Sequence, residues 1–337
     1  KRSERLMRAA VLTVRGIPPT IEIQSIPIPT PKAGEVLIRV DSSPINPSDL
    51  GFLAGKYPVP KPDPSIPGFE GSGTIVEIGE GVEASLEGRR VSCSIDATSF
   101  YGLWAEYFTT SVSNVFPISD ETTLEEASYF NVNPLTIVMF LQYIREGKHQ
   151  AVVQNAAASA LGKMFVRALA RINIPLINIV RRQEQVDSLR AIGAEHVLDS
   201  SQEGFVDQLT ALSKQLNATV GFDAIGGEET GVLFNALSPG GIVYVYGALS
   251  ARPAAGINIR DFISYGKQIK GAWKTAWWYT LTKEQKQEAW ESVEAFIKTD
   301  YNSEIAIRFS VEQVNEALVH YRANMSAGKV LIKPQLS

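Results

Sequence analysis

Residues 151–162 read AVVQNAAASALG: an apolar run, a stretch of small residues, then the opening of a helical pattern. Small side chains let backbone N–H groups approach a phosphate, and a helix N-terminus favours negative charge, so this is where a dinucleotide pyrophosphate would sit. The strict fingerprint has three glycines. Here only Gly162 remains, with Ser159 in the middle place, and the same residues also read as an ordinary strand, turn and helix. About 20 residues further on, Arg181 and Arg182 follow the apolar run 176–180. An NAD site carries an acid at that distance and an NADP site carries cations. Two adjacent arginines point to a 2′-phosphate and hence to NADPH, the alternative being a solvated charge pair at the start of a helix.

Other chemistries are limited by what is missing. Cys93 is the only cysteine, so no intramolecular disulfide can form, a four-cysteine zinc site is excluded and a reducing compartment is expected. Cys93 lies in a strand-like run and reads as a packed, inert thiol. The three histidines, His149, His196 and His320, read as surface or packing residues rather than ligands. The net charge of −4 without a basic block argues against nucleic-acid binding. No run approaches the ~20 apolar residues that span a bilayer, so no membrane partner is expected. The residues before Met7 read as a tag or processing remnant. A cytoplasmic location is therefore expected, or an organelle if a leader has been removed.

Elements must position these residues. Between residues 8 and 116 the chain shows short β-rich runs broken by Pro and Gly, such as 35–40, 73–78 and 89–94, and reads as an all-β, barrel-like half. Residues 57–67 carry five prolines, which excludes helix and central strand and leaves a long loop. From Thr123 the pattern turns helical, over 124–130 and 135–144. Strands at 151–155, 176–180, 196–198, 218–223 and 242–246 then alternate with helices at 161–172, 184–192, 205–216 and 229–237. Such alternation predicts an α/β fold with a parallel sheet covered on both faces. From residue 271 on, helices at 283–298 and 311–322 and a strand at 329–332 close the chain.

The runs INPSDLGFLAGKYP (residues 45–58) and PGFEGSGTIVEIGEGV (67–82) resemble the medium-chain dehydrogenase/reductase superfamily, in its zinc-free quinone oxidoreductase and enoyl thioester reductase branch. Val132-Asn133-Pro134 with Thr136, and Asn155-Ala156 with Ser159 and Gly162, are similar to motifs of the enoyl thioester reductases. Phe69 fits the quinone branch, and the tryptophan-rich GAWKTAWWYT (271–280) departs from both. The resemblance implies a GroES-like β-barrel catalytic domain over residues 7–125, completed by 271–337. It also implies a Rossmann doubly wound parallel-sheet domain over 126–270. Zinc relatives carry Cys where this chain has Asn46 and His where it has Phe69, leaving Glu70 as one carboxylate that cannot hold a catalytic zinc alone.

The same resemblance assigns roles. Ser159, Ala160, Leu161 and Gly162, with Asn155, would take the pyrophosphate, and Arg181 and Arg182 the 2′-phosphate. Asn46 and Thr136 would face the nicotinamide end, with Tyr246, Gly247 and Lys329 beside the cofactor. Tyr57 corresponds to a proton-donating or substrate-orienting tyrosine. A phenol titrates near 10, so it keeps its proton at neutral pH and can donate to a developing enolate; the alternative is a loop tyrosine that caps the Pro-rich segment. Trp273 and Trp278 are candidates for the wall of a pocket for a flat acceptor, whereas Trp277 reads as packed. Two functions follow as expectations. One is NADPH-dependent hydride transfer to a quinone or an activated double bond, 2-enoyl thioesters included, in a homodimer with small-molecule substrates. The other is a dinucleotide-binding redox sensor or scaffold with little turnover.

Overall fold

The structure, a computed structural model, describes residues 4–337. Its elements in chain order are β1 (Leu6–Val14), β2 (Thr20–Pro27), β3 (Glu35–Pro44), α1 (Pro47–Leu53), β4 (Glu70–Ile78), β5 (Arg90–Ser94), β6 (Tyr107–Ser111), β7 (Val115–Pro117) and α2 (Leu124–Ala127). There follow α3 (Asn133–Glu146), β8 (Val152–Gln154), α4 (Ala160–Arg171), β9 (Leu176–Val180), α5 (Gln183–Ala191), β10 (His196–Asp199), α6 (Phe205–Leu216), β11 (Val220–Asp223), α7 (Glu228–Ala236) and β12 (Ile242–Val245). The remainder is α8 (Ile259–Tyr265), β13 (Gln268–Gly271), α9 (Lys274–Thr280), α10 (Lys283–Ala295), β14 (Ile305–Phe309), α11 (Val314–Ala323) and β15 (Lys329–Ile332).

Two compact units result: one runs to Pro134 and adds Gln287–Lys298 and Asn302–Ser337, and the other is Leu135–Lys286 with Thr299–Tyr301. The sequence reading sets its boundaries at 125/126 and 270/271. Residues 271–286, expected with the first unit, fall with the second, Gly271 pairing with β12 as the end of the last strand of its sheet.

In unit 1, β3 to β7 with β14 and β15 form one sheet, in which β15 pairs antiparallel with β3. Beside it β1 and β2 form a hairpin that pairs Leu6 with Pro27. Leu6, within the expected remnant, opens the strand β1, and residues 1–3 of that expected remnant lie outside the described residues. Unit 1 is not all-β in its first half. Asn46 precedes Pro47, whose fixed φ suits the first helical position, and Asp49 Oδ2 accepts the Asn46 N–H at 2.7 Å, so the short α1 forms there. Residues 57–67 are irregular. They are clamped by Lys61, whose buried ammonium donates to the carbonyls of Ser99 at 2.7 Å and Tyr101 at 2.8 Å.

Unit 2 has a six-stranded sheet in the order β10-β9-β8-β11-β12-β13, with every pairing parallel. The order reverses between β8 and β11, and ligands of open α/β sheets bind beyond the strand ends at such a point. Val153, Ile177, Ile179 and Val243 of the sheet pack with Phe205, Leu209, Leu233 and Phe234 of the helices. Strands β8, β9 and β11 are buried on both faces, which is why their sequences are largely apolar runs rather than alternating ones.

Candidate functional site

In unit 2, Asn155 follows β8, and the loop after it turns through Ala156 at φ 47°, a left-handed conformation that a side chain disfavours. Ser159 caps α4, its hydroxyl accepting the Gly162 N–H at 3.0 Å. Helix α4 therefore begins at Ala160, and its first amides face the loop. Gly162 is required by packing: a Cβ there would overlap the Ala157 carbonyl. Gln154 fastens the loop from below, donating to Gly162 O at 3.0 Å and to Asn178 Oδ1 of β9 at 2.8 Å.

Asn155 is buried, with Nδ2 donating to Asp223 Oδ1 and Oδ1 accepting from the Ala224 amide, both at 2.8 Å. Both ends of its amide are engaged by the protein. Arg181 and Arg182, at the end of β9, are exposed. Glu229 of α7 is raised by burial and by Asp223, and lowered by the charges of Arg181 and Arg252. Tyr246 packs edge-on to Phe140, ring centroids 4.9 Å apart, and a Cβ at Gly247 would meet the Ala224 carbonyl. Thr136 is buried on α3. Of the tryptophans, Trp277 donates to Gln142 Oε1 at 3.0 Å and Trp278 is buried under Lys286, whereas Trp273, ahead of α9, is 39% exposed.

Unit 1 brings Asn46 and Lys329 together. Lys329 Nζ donates to Asn46 Oδ1 at 2.7 Å, and Asn46 Nδ2 donates to Glu70 Oε1 at 2.9 Å. Glu70 Oε2 accepts from the amides of Asn131 and Val132, both at 2.9 Å, so one carboxylate ties Asn46 to the chain entering α3. All of these side chains are buried. Burial pushes Glu70 up against the pull of Lys329, and pushes Lys329 down against the pull of Glu70 and Asp49. Burial also raises Asp49 to about 7, and its Oδ1 accepts no hydrogen bond among the described residues.

Tyr57 is half-buried against Phe69, centroids 5.9 Å apart. Cys93 is buried with its thiol on the Gly71 carbonyl, and burial first and Glu70 second raise it far above the ordinary thiol range. His149 meets the Thr219 hydroxyl at 2.7 Å. Among the described residues no group of three or more His, Cys, Asp or Glu could hold a metal ion, and no helix is long and apolar enough to cross a membrane.

The sequence reading passes over Asp223, Gln154 and Asn178, polar residues inside apolar strands. For Gln154 and Asp223 the signal is a polar residue at the carboxyl end of a buried strand; Asn178 lies mid-strand in β9 and bonds Gln154 and the His196 carbonyl of its neighbours.

The small residues, the left-handed turn and the capped helix fit a pyrophosphate, since Cβ atoms at Gly162 and Gly247 would crowd the backbone that forms the cradle. Residues 32–120 match the family described as the alcohol dehydrogenase GroES-like domain, and residues 160–295 match that described as zinc-binding dehydrogenase. The mitochondrial enoyl-[acyl-carrier-protein] reductase of Caenorhabditis elegans is 29% identical over 85% of this chain and 82% of its own length. The Arabidopsis thaliana protein of the same name is 28% identical over 80% and 72%. A solved structure from Mesorhizobium loti, assigned as an NADPH:quinone reductase, superposes with a TM-score of 0.89 at 29% identity, covering 99% of this chain and 100% of that one.

Proposed function

Since the chain belongs to the medium-chain dehydrogenase/reductase superfamily, in its quinone oxidoreductase and enoyl reductase branch, we propose that it is an NADPH-dependent, zinc-independent reductase of quinones or activated double bonds. The observation that carries this reading is the pairing of the phosphate loop with exposed Arg181 and Arg182 on the neighbouring strand β9. NADPH, when bound, supplies the hydride.

The chain's own residues do the rest. Ser159 to Gly162 present the first turn of α4 to the pyrophosphate, and the two guanidinium groups hold the 2′-phosphate, which planar Arg donors suit. Within unit 2, Thr136, Tyr246 and Gly247 line the nicotinamide end; the family resemblance also gives Asn46 and Lys329 to the cofactor. Tyr57 donates its phenolic hydrogen to the oxygen that gains charge as the acceptor is reduced. Trp273 offers the acceptor a flat apolar face, whereas Trp278, expected beside it, is buried under Lys286. The residues present do not fit a zinc ion. Asn46 has its amide committed to Lys329 and Glu70, Phe69 has no donor atom, and the one thiol is held by a backbone carbonyl.

The homodimer reading is supported by β13, an edge strand, and by α8 before it, where Ile259 and Ile263 are 70% and 81% exposed. Relatives named as mitochondrial support the organelle alternative for its location.

The test is loss of NADPH absorbance with a short 2-enoyl thioester, phenanthrenequinone and a simple aldehyde in parallel, with NADH as the cofactor control. Thioester turnover that falls about a hundredfold in Tyr57→Phe establishes the enoyl reductase reading. Quinone turnover indifferent to Tyr57 places the activity in the quinone branch. Tight NADPH binding with no turnover of any acceptor overturns the enzyme in favour of a sensor or scaffold.

A further inference from the structure

We infer that Asp223 positions the cofactor loops of unit 2, a reading that rests on the NADPH binding proposed above. Asp223 ends β11, the strand beside β8 at which the sheet order reverses, and it is fully buried. From that place it holds three segments of chain. Its Oδ1 accepts from Asn155 Nδ2 at 2.8 Å, from the Ile225 amide at 2.9 Å and from the Gly226 amide at 3.0 Å, while Oδ2 accepts from the Thr230 hydroxyl. Its carbonyl accepts from the amides of Tyr246 at 2.9 Å and Gly247 at 3.3 Å.

One residue thus fixes the exit of β8 into the phosphate loop, the turn through Gly226 and Gly227, and the exit of β12. The chain after β12 rides on that turn, since Ser250 Oγ donates to Ile225 O at 2.7 Å and the Gly227 amide to Arg252 O at 3.1 Å. Three N–H groups converging on one buried oxygen are each fixed in direction, which no apolar side chain could do. Without that oxygen the Asn155 amide is held at one end only, by the Ala224 N–H, and two backbone amides lose their acceptor. The loop that presents Ser159 to Gly162 then loses its shape.

The test compares Asp223→Ala with Asp223→Asn, which keeps one oxygen for the three N–H donors and offers an NH2 group to the Thr230 hydroxyl. NADPH affinity is measured by calorimetry, kcat at saturating NADPH with phenanthrenequinone, and thermal melting alongside. Asp223→Ala should weaken NADPH binding about tenfold or more, with kcat falling less than about threefold, and Asp223→Asn should recover most of the affinity. A residue that only supports the fold would lower the melting point without this split. Alanine-variant affinity within about twofold of wild type, or an asparagine variant as weak as the alanine one, overturns the inference.

If Asp223→Ala does not fold, Asp223→Ser decides, because its shorter side chain keeps a polar group in the buried place but cannot reach all three N–H donors: binding about tenfold weaker supports the inference and unchanged binding overturns it. Wild-type protein that binds no NADPH overturns the functional reading and the inference with it, whereas unchanged binding in a folded variant overturns the inference alone.

Discussion

Asn46 holds both polar ends of its side chain on ionisable partners, Lys329 and Glu70, and its backbone amide on a third, Asp49. Burial drives all three toward neutrality. For Asp49, raised to about 7, the folded chain keeps a proton that an unfolded aspartate releases near 4. Its contribution to stability is therefore fully present below about 4 and is lost as pH rises through about 7. Asp49→Asn keeps an oxygen for the Asn46 amide and removes the titration. Urea unfolding of that variant should show a shallower fall in stability between about pH 4 and 7 than wild type. An identical slope would mean that Asp49 ionises at its ordinary value. The family resemblance singles out Asn46 and Lys329 but not their contact, because it joins chain segments far apart in the sequence that only the sheet pairing of β15 with β3 brings together.

Helix α4 depends on one missing methyl group. In Gly162→Ala the new Cβ meets the Ala157 carbonyl, backbone against backbone, so neither side can yield by changing a rotamer. Stability should fall by about 1–3 kcal/mol in denaturant titration, with a raised KM for NADPH; a variant as stable as wild type would mean that the loop has room to move away from the helix. The strands of unit 2 could be read directly from the sequence because they are apolar runs between helical patterns. The strand at 176–180 begins and ends where expected, as does the strand at 329–332 in unit 1. Elsewhere the pattern was weaker. The edge strand β13 has mostly exposed side chains and no apolar run, and α1 is a single short helix that starts on a proline within a β-rich stretch. The 124–130 pattern yields only the four residues of α2, where Thr123 and Glu126 form a capping box. Asp223 could not be found by period at all. Its importance comes from hydrogen bonds to loops whose shape the sequence does not state.

For the whole molecule, the proposed homodimer puts weight on α8 and β13. The two isoleucines of α8 are far more exposed than an aliphatic residue on a monomer's helix needs to be. Ile263→Lys should convert the dimer to monomer in light scattering at micromolar concentration, while NADPH affinity holds. A variant that stays dimeric would place the interface elsewhere. The path of the chain through unit 1 has a different kind of consequence. Ile45 and Phe52 share their core with Val314, Leu318, Val330 and Ile332, residues from the far end of the sequence. On the ribosome, unit 2 can close its sheet while that apolar surface still waits for its cover. At ordinary elongation rates the wait is on the order of tens of seconds. The nascent first half is then a client for chaperones that bind exposed apolar chain, and the synthesis of α11 and β15 decides whether it is released.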